Sequence, residues 1–400
     1  MATERELLDQ LKFRDPQRAR DLAAALAREV KAIGRDPVSV MHVCGSHEQS
    51  IARFGLRTIF PKALQVIMGP GCPVCVTDMP EVDEAVALAL AGHRIATYGD
   101  MMKVPGSVKS LADAQGEGAT VDVVYSVQQA VDLAKANPER EVIFFASGFE
   151  TTAVATAAIL MNGVPKNFSV LSAHKYIPPA MEIVAEMPGT HIEGFLAAGH
   201  AASITGAAVF EPFVKRHKVP VVVGGFEPLD VLAALLKLVE LIRAGRAEVA
   251  NMYPRVVSHE GNRHALEKLW KVFKPIGGRW RGIAHIPNGN LRLRDDWEHV
   301  DARKRFRIEV SQLWDYAPSG LAQRCICGDI MAGVRQPSDC ELFGKECVPE
   351  SPVGACMVSS EGSCRIWHTY GGMPDLSDVT PSSETSTTDA EKSRPTEVRS

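Results

Sequence analysis

The chain has 400 residues, 46% of them hydrophobic and 23% charged, and a formal net charge of -4. This is the composition of an ordinary soluble globular protein, with length for two or three domains. It excludes a basic nucleic-acid footprint; the polar start Met1-Ala2-Thr3-Glu4 does not read as a secretory leader, and no apolar run is long enough to span a membrane. The expected location is the cytosol, where nine cysteines point to metal or redox chemistry rather than a disulfide framework.

Asp15-Pro16 is a helix start, as N-cap and first helical residue. Leu22, Leu26, Val30 and Ile33 follow at helical spacing, and Gly34 stands where the helix should end. An apolar run at 38–43 predicts the first strand, which breaks into Cys44-Gly45-Ser46-His47-Glu48. A short helix from about Glu48 stops at Gly55, and a second strand at 63–68 leads into Gly69-Pro70-Gly71-Cys72-Pro73-Val74-Cys75. Thr77 or Asp78 can cap the next helix, with Glu81, Asp83 and Glu84 complementing its dipole and Gly92 closing it.

Further strands are predicted at 94–98, 121–125, 142–146, 168–171, 192–196 and 220–223, with helices between them. A helix after the fourth strand is stopped by Asn137-Pro138, and a long Leu-rich one reaches about Gly245. Alternation at this spacing argues for parallel sheets. Gly-Phe-Glu occurs twice, at 148–150 and 225–227, which fits two related halves. The expected fold is α/β, with two Rossmann-like parallel-sheet domains and a C-terminal cysteine-rich iron–sulfur region. The expected divisions are an N-terminal helical segment (1–36), a first α/β domain carrying Cys44, Cys72 and Cys75 (37–130), a second (131–250), a partly β C-terminal region (251–376), and a Ser/Thr/Glu-rich tail (377–400) too polar to order itself.

Six cysteines lie between Cys325 and Cys364: Cys325, Cys327, Cys340, Cys347, Cys356 and Cys364. Four thiolates hold an iron–sulfur cubane or a structural zinc. The wide gaps and Gly/Pro-rich loops between them favour a [4Fe–4S] cluster over zinc knuckles, with reactive or buried thiols as a further alternative. Cys72-Pro73-Val74-Cys75 reads as a redox dithiol, or as half of a zinc site completed by Cys44 and His47. Cys44 beside His47 reads as a nucleophile or a soft metal ligand, against the plainer readings of a buried small hydrophobe and a solvated histidine. The Ser147-Gly148-Phe149-Glu150-Thr151-Thr152 turn can cap a helix or bind an anion, but lacks the lysine of a P-loop and the glycines of a dinucleotide site. His174, Lys175 and His200 each follow a strand and read as solvated loop residues more readily than as catalysts.

Cys44-Gly-Ser-His47-Glu48, the Gly69–Cys75 stretch, Tyr98-Gly-Asp100-Met-Met-Lys103, Gly148-Phe-Glu150-Thr-Thr, Ser172-Ala-His174-Lys175 and Cys356-Met-Val-Ser-Ser-Glu-Gly-Ser-Cys364 together resemble the HypD family of hydrogenase maturation factors, over about residues 35–370. Gln49 stands where that family frequently has histidine. The resemblance implies a redox-active assembly scaffold, rather than a turnover enzyme, for the Fe(CN)2CO group of [NiFe] hydrogenases. It implies that iron is held between this chain and a HypC-type chaperone, with cyanide from a HypE-type donor and HypF upstream. It further implies Cys44 as the iron ligand with His47 beside it, Cys72 and Cys75 as the thiol/disulfide pair, and Cys325, Cys340, Cys347 and Cys364 as ligands of a [4Fe–4S] cluster in surroundings similar to those of ferredoxin:thioredoxin reductase. Cys327 and Cys356 are then extra, unless Cys327 replaces Cys325. A stand-alone iron–sulfur thiol-disulfide oxidoreductase is the rival reading.

Overall fold

Apolar runs alternating with helices resolve into two parallel sheets. The computed structural model describes residues 14–307 and 320–373. The tail expected at 377–400 lies outside these residues, as does the start of the N-terminal segment.

Among the described residues nine strands are parallel: β1 (Val38–His42), β2 (Leu64–Met68), β3 (Arg94–Thr97), β4 (Val121–Val123), β5 (Val142–Gly148), β6 (Phe168–His174), β7 (Gly194–Ala198), β8 (Val221–Gly224) and β9 (Val249–Asn251). The first sheet has the order β2-β1-β7-β8-β9, and the second β4-β3-β5-β6. Sheet membership therefore does not follow the sequence boundary expected near residue 130. The second sheet is contiguous in sequence and interrupts the first, because β1 is fully buried and needs a neighbour on each edge: β2 on one, β7 on the other. A two-stranded antiparallel hairpin, β10 (Phe273–Trp280) and β11 (Ala284–Leu293), supplies the β character expected beyond residue 251.

Local chemistry sets the element ends. Helix Pro16–Ile33 is capped by the Asp15 carboxylate, which accepts the Arg18 N–H, and ends at Gly34 in the left-handed conformation. Helix Met79–Leu90 begins with a capping box between Asp78 and Glu81. Its acidic first turns do more than complement a dipole. Glu81 pairs with Lys175 and Arg292, Asp83 accepts from Ser107, and Glu84 pairs with Arg303, so the helix is tied to β6 and to the C-terminal region.

Register decides where the chemistry goes. His42 lies opposite Met68 on one side and Leu196 on the other, and Ala198 opposite Gly224. The segments after β1, β2, β7 and β8 thus leave the first sheet at one edge, outside the carboxyl ends of its strands, where ligands bind in open α/β sheets. Among the described residues no helix is long and apolar enough to cross a membrane.

Candidate functional site

Cys44 follows β1 in an extended conformation and N-caps helix Gly45–Arg53 without spending its side chain on a capping bond. The loop after β2 runs against it: the Gly45 N–H donates to the Gly71 carbonyl at 3.0 Å. A Cβ on residue 71 would stand 2.1 Å from the Cys44 nitrogen, so only glycine permits this approach. The chain then delivers Cys72 as N-cap of the short helix Pro73–Val76, and Cys72 is disulfide-bonded to Cys75. The Cys75 N–H donates to Cys72 Sγ at 3.2 Å.

Three further segments close over Cys44. Ser46 Oγ donates to Glu361 Oε1 at 3.0 Å, while Asp100 accepts from Ser359 Oγ at 3.0 Å, which fastens the turn before Cys364 over the helix start. Gly45 leaves no room for a Cβ, which would meet Glu361 at 2.5 Å. After β7, His200 brings Nδ1 to 3.9 Å from Cys44 Sγ. After β8, the Gly225 carbonyl accepts the His47 Nε2–H at 3.0 Å, and the Phe226 ring lies 4.9 Å from His47 and 5.1 Å from His200.

The electrostatics follow from this enclosure. Cys44 is 1% exposed, and burial with the nearby Glu361 carboxylate pushes its thiol up to about 12, against the opposing pull of the His47 and Ser46 N–H groups at the helix start. It is a protonated thiol at neutral pH, and a cation bound there would displace that proton. His47 is not the solvated residue of the plainer reading. It is fully buried, burial and the neighbouring His42 and His200 hold it down at about 3, and its Nδ1 has no partner among the described residues. Since its Nε2 is turned to Gly225, the imidazole next to the thiol is that of His200. The zinc arrangement of Cys44, His47, Cys72 and Cys75 is not assembled: two of its sulfurs are bonded to each other and His47 faces another way.

Beneath the site, Glu48 accepts from His42 Nε2 at 2.9 Å, Arg57 Nη2 at 2.8 Å and Trp367 Nε1 at 2.6 Å. It joins the Cys44 helix to helix Ser363–Tyr370, which carries Cys364. The second sheet contributes Glu150, at the start of helix Glu150–Met161, which packs against helix Gly199–Thr205 of His200. Its Oε1 accepts the Ile177 N–H at 3.0 Å, its Oε2 has no partner among the described residues, and burial pushes the carboxyl up to about 7. His174 and Lys175 are buried, not solvated. His174 contacts Thr156 Oγ1 at 3.2 Å, and Lys175 Nζ donates to Glu81 at 2.7 Å and Asn290 at 3.1 Å. Burial raises the Glu81 carboxyl, but Lys175 and Arg292 overcome that and hold it at about 2.

Five C-terminal thiols gather next to the disulfide. All five are free thiols: Cys356 lies within hydrogen-bonding reach of both Cys327 and Cys364, Cys325 within reach of Cys327, and Cys347 feels the charges of Cys325 and Cys327. A Cβ at Gly354 would lie 2.4 Å from Cys327 Sγ and 2.6 Å from Cys325 Sγ, so glycine leaves that side of the sulfurs open. The Val353 N–H donates to Cys347 Sγ at 3.4 Å. Hydrogen bonds from Cys327 and Cys356 hold Cys364 down at about 6. Cys327 and Cys356 thus lie inside the group, while Cys340 is half-buried with local backbone bonds to Pro337 and Phe343. Among the described residues no three of these side chains form a ready site for a single ion. A dense set of soft, mostly buried sulfurs fits an iron–sulfur group, whose thiolates are spread over several irons. Cys75 Sγ lies 3.9 Å from the Ala355 carbonyl, one residue from Cys356.

Sequence reasoning found the three cysteines of the edge but not the partners His200, Glu361 and Glu48. Their only local signals were a histidine after a strand, an acidic residue in the first turn of a helix and another in a Gly/Ser-rich turn.

Residues 17–371 match the HypD family, described as the "Hydrogenase formation hypA family". The chain is 41% identical over 371 residues to the hydrogenase maturation factor HypD of Azotobacter vinelandii, covering 90% of this chain and 96% of that one. It is 41% identical over 374 residues to the hydrogenase expression/formation protein HupD of Azotobacter chroococcum, covering 90% and 96%. It is 39% identical over 376 residues to the hydrogenase maturation factor HypD of Cupriavidus necator, covering 91% and 97%.

Proposed function

The chain belongs to the HypD family of hydrogenase maturation factors, and from that premise we propose that it is a cytoplasmic iron–sulfur scaffold with redox activity. With a HypC-type chaperone it holds iron while cyanide and carbonyl ligands are attached to form the Fe(CN)2CO group, the cyanide coming from a HypE-type donor with HypF upstream. One observation carries the reading: a free thiol, Cys44, and a disulfide, Cys72–Cys75, share one strand-end edge, and the disulfide abuts the segment of Cys356.

In this reading Cys44 is the protein's ligand to the iron substrate. A thiolate is a soft donor suited to low-spin iron with strong-field partners. The Ser46 and His47 N–H groups at the helix start stabilise that thiolate, and burial makes it dependent on a bound cation. His200 stands beside the sulfur, where its Nδ1 can exchange a hydrogen bond with the thiol. Cys72 and Cys75 pass between disulfide and dithiol, taking up two electrons and two protons in one direction and releasing them in the other. Cys325, Cys340, Cys347 and Cys364 would hold a [4Fe–4S] cluster, with Cys327 and Cys356 in contact with the set. Held there, it would supply electrons one at a time, two of them being needed to open the Cys72–Cys75 disulfide.

The test is an infrared spectrum of the protein purified anaerobically with its chaperone from cells expressing the maturation set. Metal-bound cyanide and carbonyl bands that vanish in Cys44→Ala support the reading. A sample with a full cluster and no such bands favours a disulfide reductase instead.

A further inference from the structure

The turn between β10 and β11 carries a buried arginine that the site described above does not use. Arg281 is 9% exposed. Its backbone N–H donates to the Val76 carbonyl at 3.1 Å, its Nε to the Thr77 carbonyl at 2.7 Å and its Nη2 to the Pro105 carbonyl at 2.7 Å. Two of these acceptors belong to the segment that directly follows Cys75. On its other side the turn touches the Cys327 segment, backbone to backbone. A Cβ on Gly328 would lie 2.1 Å from the Gly282 oxygen, and one on Gly282 would lie 2.8 Å from the Gly328 Cα. The turn is thus wedged between the disulfide loop and the thiol group.

Carbonyls orient a guanidinium but do not neutralise it. Among the described residues no carboxylate pairs with Arg281 at ion-pair distance. The negative groups acting on it at longer range are Asp78, Cys327, Asp83 and Cys325. A buried cation left so short of counter-charge is costly unless an anion completes its surroundings. A cubane bound through four thiolates is anionic and gains a further negative charge on reduction, and nearby charge is one of the quantities that sets its potential.

Resting on the iron–sulfur reading above, we infer that Arg281 is a positioning residue that fixes a positive charge between the disulfide loop and the Cys325–Cys327 end of the thiol group, and so raises the reduction potential of the cluster held there. Two side-chain hydrogen bonds hold the guanidinium and a backbone one anchors the residue, so the effect does not depend on a mobile surface side chain.

The experiment is a dye-mediated redox titration of the full-length protein, purified anaerobically with iron and sulfide content measured, and followed by electron paramagnetic resonance. In Arg281→Gln, at wild-type cluster content, the reduction equilibrium shifts at least tenfold toward the oxidised form, which is 59 mV for a one-electron couple. Arg281→Lys, which keeps the charge and loses the fork, stays within threefold of wild type. An unchanged potential in a fully loaded Arg281→Gln overturns the assignment. If that variant does not load, Arg281→Lys decides: a tenfold shift with the charge retained overturns the charge account, and a potential near wild type sustains it. A wild-type protein with no cluster overturns the iron–sulfur reading and this inference with it.

Discussion

Replacing Glu48 tests whether the Cys44 site is held together from beneath. Its carboxylate is fully buried and Arg57 is 7% exposed, so neither charge has water to fall back on. Breaking a buried pair by removing one partner costs about 3–5 kcal/mol, because the other charge stays buried. Arg57 is ill placed to compensate, since its Nη1 already lacks a partner among the described residues. Glu48→Gln keeps the shape and one acceptor for Trp367, so it should fall near the lower figure, about 3 kcal/mol. The assay is urea unfolding of wild type and variant at pH 7, repeated down to acid pH. Burial raises the Glu48 carboxyl, but Arg57 and His42 overcome this and hold it well below its ordinary value of 4.5. A depressed carboxyl contributes stability that is present above the unfolded value and lost as pH falls through the folded one. The wild-type advantage should therefore be full at neutral pH and be lost progressively as the pH falls from about 4.5 toward the folded value. A Glu48→Gln protein within about 1 kcal/mol of wild type at pH 7 would refute the reasoning, since that is the scale of an exposed pair.

Two further outcomes follow from the same geometry. Gly71→Ala places a methyl group on the Cys44 backbone and should destabilise the protein by about 1–3 kcal/mol, with faster alkylation of Cys44 as the loops part; unchanged stability and alkylation would mean that the contact is not tight. Glu150→Gln tests a carboxyl whose folded value, about 7, lies above the unfolded 4.5. Its stabilising share is full below 4.5 and lost as pH rises through 7, so the neutral variant should match wild type in acid and exceed it by up to about 3 kcal/mol above pH 7. Parallel stability profiles from pH 4 to 8 would show that Glu150 is not held protonated.

The strands and their chemistry-bearing ends were legible because they are local. Each apolar run is bounded by its own glycine, proline or cysteine, and caps such as Asp15, Gly34 and Asp78 act within a few residues. Pairing order was not legible. Nothing near residue 43 says that β1 takes β7 as its second neighbour. The same holds for His200 at Cys44, Trp367 at Glu48 and Glu81 at Lys175, all contacts between residues far apart in the chain. Buried charge was misread for this reason. A lysine or histidine after a strand is solvated by default, and only a distant carboxylate or hydroxyl, as for Lys175 and His174, overrides that default. Cysteine density located the C-terminal sulfur group, but spacing does not reveal that Cys327 and Cys356 turn inward among the others.

A ribosome cannot finish the two sheets of this protein in the order it begins them. β1 and β2 are made early, yet the strand that completes β1 starts only at Gly194, after the whole of the second sheet. At ordinary rates of synthesis that gap lasts on the order of ten seconds. Until it closes, the His200 and Gly225 segments that cover Cys44 do not yet exist, and three thiols share an unfinished edge where the wrong pair can oxidise. Of the two parallel sheets, the one that carries the chemistry closes last.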